Sequence, residues 1–228
     1  MSDQAVRTTL EDGGVAVIRL DDGKANALSH SVLDALADAL DRIEKDDAAR
    51  ALVLLGREGR FSGGFDLSVM SQGVDKAIEL ADKGGRTGLR LFGFPKPVVL
   101  GVTGHAIAMG AVLLCAADER IGAEGAFKIG LNEVSIGMAL PEFAVELARE
   151  RLSRRHFQRA TIGAQIYTPA EAVDAGYLDA LVPLDRVEQA AIERAGALGA
   201  SLDPKAFHAT KRAVRGALIE RLERGLGG

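Results

Sequence analysis

Residues 97–117 read PVVLGVTGHAIAMGAVLLCAA and contain no Asp, Glu, Lys or Arg. A run of this length could cross a bilayer as a helix. Its glycines, together with Thr103 and His105, interrupt the apolar pattern and divide the run into two parts. Residues 98–102 are typical of a short buried strand, and residues 109–117 of a buried helix. The stretch therefore predicts a buried strand–loop–helix unit and no membrane span.

Patterns typical of strands and of helices also alternate along the sequence on both sides of this unit. Short apolar runs bounded by glycine, aspartate or arginine predict further strands. Apolar residues at helical spacing predict helices between them. Strands that alternate with helices predict an α/β core with largely parallel pairing. The predicted elements are strands at 15–20, 51–55 and about 120–121, a helix from a Ser29 or Ser31 cap to about Glu44, and a helix over 75–91.

The pattern changes from about Pro141, after which helical segments dominate. Residues 168–171 form a capping box with proline in the first helical position. Asp203 precedes a proline and begins a last helix with one apolar side. We therefore divide the chain into a core over residues 1–165 and a helical region over 166–228, which packs on its own core or on a neighbouring subunit. The apolar side of the last helix consists of Phe207, Val214, Leu218 and Leu222.

Composition argues against several classes of protein. The 228 residues carry a net charge of −4 with the signs interspersed, which argues against nucleic-acid binding. The single cysteine excludes an intrachain disulfide and fits a cytoplasmic protein. The four histidines are scattered, and since no His/Cys cluster has metal-ligand spacing, we expect no metal. Residues 1–7 lack the basic start and apolar run of a signal peptide.

Three glycine-rich segments are candidates for chemistry: FSGGFDL at 61–67, TGHAIAMG at 103–110 and GLNEVSIG at 130–137. In the first two, a strand passes through glycines into a helix, which leaves backbone N–H groups free at the helix N-terminus. Two such groups that converge on one point form an oxyanion hole. The alternative is that the glycines only permit tight turns. Neither a G-x-G-x-x-G sequence after a strand nor a P-loop sequence is present.

The third segment contains the candidate acid/base. Glu133 lies in an otherwise apolar, turn-like stretch, where a glutamate is usually a cap or an ion-pair partner. Burial would raise its pKa and suit it to proton transfer. Serine hydrolysis by Ser135 is not expected, because Glu133 occupies the position at which a nucleophile elbow needs glycine.

Together these segments resemble the crotonase, or enoyl-CoA hydratase/isomerase, superfamily, over nearly the whole chain and in the same order. Residues 22–28 resemble its early coenzyme A loop, and residues 61–67 its F-x-x-G-x-D-L segment. Residues 95–99, followed by Gly104 and the 108–110 turn, resemble the next block of the family's sequence pattern. The later E-A-x-x-x-G-x-x-x-x-V-V-P stretch is matched at 171–183, with leucine for the first valine. The resemblance implies a spiral of repeated ββα units and a helical C-terminal region that forms trimers or hexamers.

The resemblance also implies a substrate and a site. The substrate is an acyl-coenzyme A thioester, with no cofactor beyond its coenzyme A moiety. The N–H groups of Phe65 and Met109 would hold the thioester oxygen, and Glu133 would transfer protons. Lys24 and Lys211, the second from this chain or from a neighbouring subunit, are candidate phosphate contacts, with simple solvation as the alternative for both. The implied coenzyme A contacts are Lys24, Ala25, Ala27, Gly63, Gly64, Asp66, Leu67 and Lys211.

Hydratases of this family use two glutamates. The first would stand at Val112 here, and valine cannot transfer a proton, whereas the second corresponds to Glu133. One carboxylate can remove a proton at C2 and return one at C4, as an isomerase requires. We therefore expect an isomerase that converts 3-enoyl- to trans-2-enoyl-CoA. The alternatives are an enoyl-CoA hydratase of fatty acid beta-oxidation and, in another class, a non-catalytic acyl-CoA-binding protein.

Two positions depart from the family pattern. The glycine triplet appears as Ala108-Met109-Gly110, so the Met109 side chain must point away or narrow the acyl pocket. Phe65 replaces a commonly smaller residue. Both changes leave the preferred acyl chain length open. His105 is expected to bond loop backbone, and Cys115 to be a small core residue.

Overall fold

Eleven strands and nine α-helices, numbered along the chain, make up the computed structural model, which describes residues 5–227. The strands are β1 (Val6–Glu11), β2 (Val15–Leu20), β3 (Ala27–Leu28), β4 (Ala51–Leu55), β5 (Gly59–Ser62), β6 (Gly64–Phe65), β7 (Val98–Val102), β8 (Gly104–Ile107), β9 (Glu119–Ala123), β10 (Ile129–Gly130) and β11 (Ala180–Val182). The helices are α1 (His30–Lys45), α2 (Leu67–Met70), α3 (Val74–Gly93), α4 (Met109–Ala116), α5 (Glu142–Arg151), α6 (Arg154–Ala160), α7 (Pro169–Ala175), α8 (Val187–Ser201) and α9 (Pro204–Gly225).

The main sheet has six strands in the order β1-β2-β4-β7-β9-β11. Only the β1–β2 pair is antiparallel, and all the other neighbours are parallel. Both β4 and β7 are buried along their whole length, as in parallel sheets that are covered on both faces. The predicted α/β core with largely parallel pairing is therefore confirmed.

A second, three-stranded parallel sheet has the order β10-β8-β5. Three consecutive pairs, β4 and β5, β7 and β8, and β9 and β10, each place their first strand in the main sheet and their second strand in the smaller one. Helical residues follow each pair, after the short strand β6 in the case of β4 and β5. This repeated ββα arrangement confirms the fold class implied by the resemblance. The glycine-rich segments at 56–64 and 103–110 contain β5, the start of β6, and β8.

The uncharged run over residues 97–117 folds as the predicted unit. It forms β7, then β8, then α4, and all eight residues of α4 are buried. No helix between residues 5 and 227 is long and apolar enough to cross a membrane. The absence of charge in this run therefore reflects burial between the two sheets and their helices.

The C-terminal region packs on the core of its own chain. Helix α8 lies on the main sheet, where Ala191 and Ala195 are buried against valines of β2 and β4. Helix α9 packs against α3. The region is not purely helical, because β11 joins the main sheet beside β9. Val214 is 71% exposed in the single chain, unlike the buried Leu222, so the predicted apolar side of α9 is only partly covered. A domain division at residue 165 stays a prediction.

Candidate active site

A cavity of about 720 Å³ opens beside the N-terminus of α4. Its walls come from β6, α2, α3, α4 and the segment 132–144. The lining is mostly aliphatic or aromatic, and its polar side chains are those of Ser71, Asn132 and Glu133. Among the lining residues that the structure describes, Glu133 alone has a titratable side chain. Such a cavity suits an apolar ligand acted on by one carboxyl group.

The first glycine-rich turn directs the N–H group of Phe65 away from its strand partner. Strand β6 pairs with β3, and the N–H of Asp66 donates to the Leu28 carbonyl oxygen at 3.2 Å. Because successive N–H groups of an extended strand point to opposite sides, the Phe65 N–H points away from β3. A Cβ on Gly64 would lie 3.3 Å from the Met109 nitrogen, so this turn lies directly against the second one.

The second turn exposes the N–H group of Met109. Ala108 adopts a φ of 53°, a conformation that L side chains rarely adopt and that costs roughly 1–3 kcal/mol. Its N–H donates to the Gly130 carbonyl oxygen at 3.0 Å, which holds the turn in place. Met109 is the first residue of α4, where N–H groups have no acceptor within the helix. The structure thus brings the Phe65 and Met109 peptides together, as the sequence predicts.

The side chains of Phe65 and Met109 pack against glycines of α3. A Cβ on Gly84 would lie 2.4 Å from the Phe65 ring and 3.6 Å from Met109 Cε. A Cβ on Gly88 would also lie 3.6 Å from Met109 Cε. Helix α3 therefore leaves room for two side chains that are larger than the family pattern, and the cavity stays open. The sequence analysis missed this role, although three glycines in the interior of one amphipathic helix are an unusual signal.

Glu133 lies between β10 and the 3-10 turn Val134–Ile136. Its carboxylate caps no N–H group of this turn, and its Oε2 atom is buried without a hydrogen-bond partner among residues 5–227. Burial raises the pKa of Glu133, and nearby backbone N–H groups oppose this only in part. Glu133 is thus not bound as an ordinary cap or ion-pair partner. It is a shielded carboxyl group at the cavity wall, a state that favours proton transfer.

Val112 lies one turn after Met109 on α4 and lines the same cavity as Glu133. Its side chain is 1% exposed. At the position that the resemblance assigns to the first hydratase glutamate, the cavity wall is therefore formed by a buried aliphatic side chain.

The predicted coenzyme A loop is held by the Asp22 carboxylate. This group accepts hydrogen bonds from the N–H groups of Lys24 at 2.7 Å, Asn26 at 2.8 Å and Ala27 at 3.0 Å. Burial alone would raise the pKa of Asp22, but these bonds outweigh it and the pKa lies below its ordinary value. The turn is thus fixed before any ligand binds. Asp22 and Asn26 were not among the predicted site residues, although the Asp-Gly pair signals a turn.

A second set of bonds joins this loop to the first glycine-rich turn. The N–H of Gly63 donates to the Ala25 carbonyl oxygen at 2.8 Å, and Ser62 Oγ donates to the Asn26 carbonyl oxygen at 2.8 Å. The predicted contacts of both segments therefore lie side by side. Lys24, Ala25, Gly63 and Leu67 are exposed, Ala27 and Asp66 are half-buried, and Gly64 is buried.

The structure does not bring Lys211 to these loops. Its side chain is 5% exposed, and Nζ lies 2.7 Å from Oδ2 of Asp118. Asp118 also accepts from the N–H of Val98 at the start of β7, whereas the oxyanion turn follows the end of β7. Desolvation lowers the pKa of Lys211 to about 8. A phosphate contact of Lys211, within this chain or toward a neighbouring subunit, stays a prediction and would require this ion pair to break.

Two other predictions agree with the structure. His105 Nδ1 accepts a hydrogen bond from the backbone N–H of Lys128 at 2.9 Å, as expected for a loop-stabilising histidine. Cys115 is 1% exposed in α4, and burial raises the pKa of its thiol to about 12. Neither residue lines the cavity.

Comparison with known proteins gives consistent matches. The family model for enoyl-CoA hydratase/isomerase matches residues 11–227. A probable enoyl-CoA hydratase of Bacillus subtilis is 33% identical over 85% of this chain and 74% of its own length. Human mitochondrial enoyl-CoA delta isomerase 1 is 30% identical over 92% of this chain and 70% of its own. The apo structure of a Mycobacterium tuberculosis enoyl-CoA isomerase has 40% sequence identity and a TM-score of 0.93, covering 100% of this chain and 98% of that one.

Proposed function

The chain belongs to the enoyl-CoA hydratase/isomerase family, and we propose that within it the protein moves the double bond of a 3-enoyl-coenzyme A thioester to the trans-2 position. The observation that carries the proposal is the cavity lining. Glu133 is its single titratable side chain among the described residues, and Val112 lines the same cavity at the position that the resemblance assigns to the first hydratase glutamate. The names of the relatives include both hydratases and isomerases, so we base the choice between these two activities on the side chains that line the cavity.

The thioester oxygen would accept hydrogen bonds from the N–H groups of Phe65 and Met109. These groups belong to two turns in direct contact, and the strained Ala108 backbone and Gly64 hold them in place. Donors fixed before the reaction stabilise the charge that develops on the oxygen, and each commonly contributes roughly 3 kcal/mol to the lowering of the barrier. The arrangement therefore supports chemistry that passes through an enolate.

Glu133 would carry the proton. Its carboxylate removes a proton from C2, and the electron pair of the broken C–H bond spreads over the thioester oxygen, C2 and C4 as a dienolate. The protonated Glu133 then returns the proton to C4, which leaves the double bond between C2 and C3. The raised pKa of the buried carboxyl group makes it a stronger base for the first step. No water molecule takes part.

The coenzyme A moiety would lie along the paired loops, against Ala25, Ala27, Gly63, Gly64, Asp66 and Leu67, with Lys24 free to contact a phosphate. The acyl chain would enter the cavity. The rim of the cavity carries exposed apolar side chains, which favours a fatty acyl chain over a polar one. The rim residues are Leu67, Val74, Ile78, Ile136 and Met138. Assembly as a trimer or hexamer stays a prediction.

The proposal is tested by incubating the purified protein in parallel with a 3-enoyl-CoA and a trans-2-enoyl-CoA, with products separated by chromatography. We expect the 3-enoyl thioester to become the trans-2-enoyl thioester, and no 3-hydroxyacyl-CoA to form in either reaction. Formation of 3-hydroxyacyl-CoA would instead identify a hydratase. Thioester binding without turnover of either substrate would favour the non-catalytic alternative.

A further inference from the structure

One face of α3 changes from large to small side chains along the helix. Its first half lines the cavity at the i, i+3, i+4, i+7 spacing of a single helix face, with Val74, Ala77, Ile78 and Ala81. The same spacing continues into three buried glycines that do not line the cavity, which are Gly84, Gly85 and Gly88. This face of α3 therefore carries branched side chains at one end, alanines in the middle and glycines at the other end.

Large side chains from elsewhere in the fold fill the space beside the glycines. Met109 Cε lies 3.6 Å from the positions that a Cβ would take on Gly84 and on Gly88. The Phe143 ring lies 2.8 Å from the corresponding position on Gly85. Met109 and Phe143 both line the cavity and are both buried. The cavity is therefore closed at the glycine end of α3, which is also the end next to the Phe65 and Met109 peptides.

The cavity is open at the other end of this face. Val74 is 75% and Ile78 53% exposed, and Ile136 on the facing rim segment 132–144 is exposed as well. Between the two ends, Ala77 and Ala81 present only methyl groups, and the helix rises about 10 Å from Ala81 to Val74. Large apolar side chains exposed together beside a pocket mark a surface that binds an apolar ligand.

We propose that the protein prefers long acyl chains and that Val74 and Ile78 are specificity-determining residues, which contact the distal part of the chain. The inference rests on the proposed function in placing the thioester oxygen at the N–H groups of Phe65 and Met109. The side chains of these two residues occupy the glycine end of α3, so an acyl chain that starts here runs outward along the alanines. A short chain ends before Val74 and Ile78, whereas a long chain covers them.

The test compares 3-hexenoyl-CoA with 3-dodecenoyl-CoA as substrates of the wild-type protein and of the double variant Val74→Ser/Ile78→Ser. We expect wild-type kcat/KM to be at least about tenfold higher for the dodecenoyl substrate, since each fully buried CH2 group contributes about fourfold. The double variant should lose about tenfold of this value through a higher KM, because a contact made in both the ground state and the transition state is removed. Its kcat/KM for 3-hexenoyl-CoA should stay within about twofold of wild type.

The matched control is Val214→Ser/Ile162→Ser. It makes the same two changes at side chains that are 71% and 72% exposed and lie outside the cavity, so both kcat/KM values should be unaltered. Both double variants change exposed side chains, and their Tm should therefore stay close to that of wild type.

Two results would overturn the inference. One is an equal wild-type kcat/KM for the two substrates, or an equal loss for both in folded Val74→Ser/Ile78→Ser. The other is a lower mass of this variant in gel filtration without a loss selective for the long chain, which would assign the exposed rim to a contact between subunits.

Calorimetry with hexanoyl-CoA and dodecanoyl-CoA separates this inference from the proposed function, because these saturated thioesters bind without reacting. If dodecanoyl-CoA bound more tightly to wild type and Val74→Ser/Ile78→Ser lost the difference, the inference would hold even in a protein that isomerises neither 3-enoyl substrate. Isomerisation without any dependence on chain length would support the proposed function and contradict the inference.

Discussion

Replacing Glu133 by glutamine is expected to lower kcat for the 3-enoyl-CoA substrate by about a thousandfold, within the range that positioned general acid–base groups contribute. Glutamine keeps the shape of the side chain but can neither remove nor return a proton. No other described lining residue of the cavity has a titratable side chain that could take over. The coenzyme A loops do not involve Glu133, so thioester affinity measured by calorimetry should stay within about threefold of wild type, a change of less than 1 kcal/mol.

Glu223→Gln is the matched control. It makes the same chemical change on an exposed position of α9, outside the cavity, and should leave kcat unaltered. If Glu133→Gln kept kcat within a few-fold of wild type, another group would have to carry the proton. The single-carboxylate account would then be wrong.

Replacing Asp118 by alanine is expected to destabilise the fold by about 3–5 kcal/mol, because it leaves buried cations without their counter-ion. The Asp118 carboxylate lies 2.7 Å from Lys211 Nζ and 2.9 Å from a guanidinium nitrogen of Arg215. It also accepts the Val98 N–H at 2.8 Å, so it joins α9 to the start of β7. The free energy of unfolding, measured by urea denaturation, should show the loss directly.

Two variants separate this effect from a general cost of losing a charge. Asp34→Ala removes an exposed ion pair with Lys83 and should cost no more than about 1 kcal/mol. Adding Lys211→Met to Asp118→Ala removes one of the unpaired cations and should restore part of the lost stability. A loss below about 1 kcal/mol in Asp118→Ala would contradict the buried-pair interpretation.

The sequence predicted those helices and strands whose determining residues lie close together in the chain. Ser29 caps α1, and Thr168 forms the capping box of α7, because cap chemistry acts over three residues. Strands β4 and β7, which are fully buried, were predicted for a similar reason. A short run of consecutive apolar residues can be recognised in the sequence without knowing which strands pair with it. The three turns that build the site were also predicted, although their mutual contacts came from the resemblance.

Features that depend on distant partners were not predicted. Strand β1 is largely exposed, so it lacks a clear alternation of apolar side chains. Strands β5, β8 and β10 are two to four residues long and are defined only by pairing with one another. The ion pair between Lys211 and Asp118 was not predicted, because the two residues are 93 positions apart in the sequence.

The central claim, that one shielded carboxylate carries the proton from C2 to C4, is tested most directly with deuterium. The substrate is a 3-enoyl-CoA with deuterium at both C2 positions, and the reaction runs in ordinary water and is stopped early. Because Oε2 of Glu133 is buried, the abstracted deuteron should exchange slowly, and part of the trans-2-enoyl product should carry deuterium at C4 by mass spectrometry and NMR. Product with only ordinary hydrogen at C4, even at the earliest times, would contradict a single shielded carboxylate.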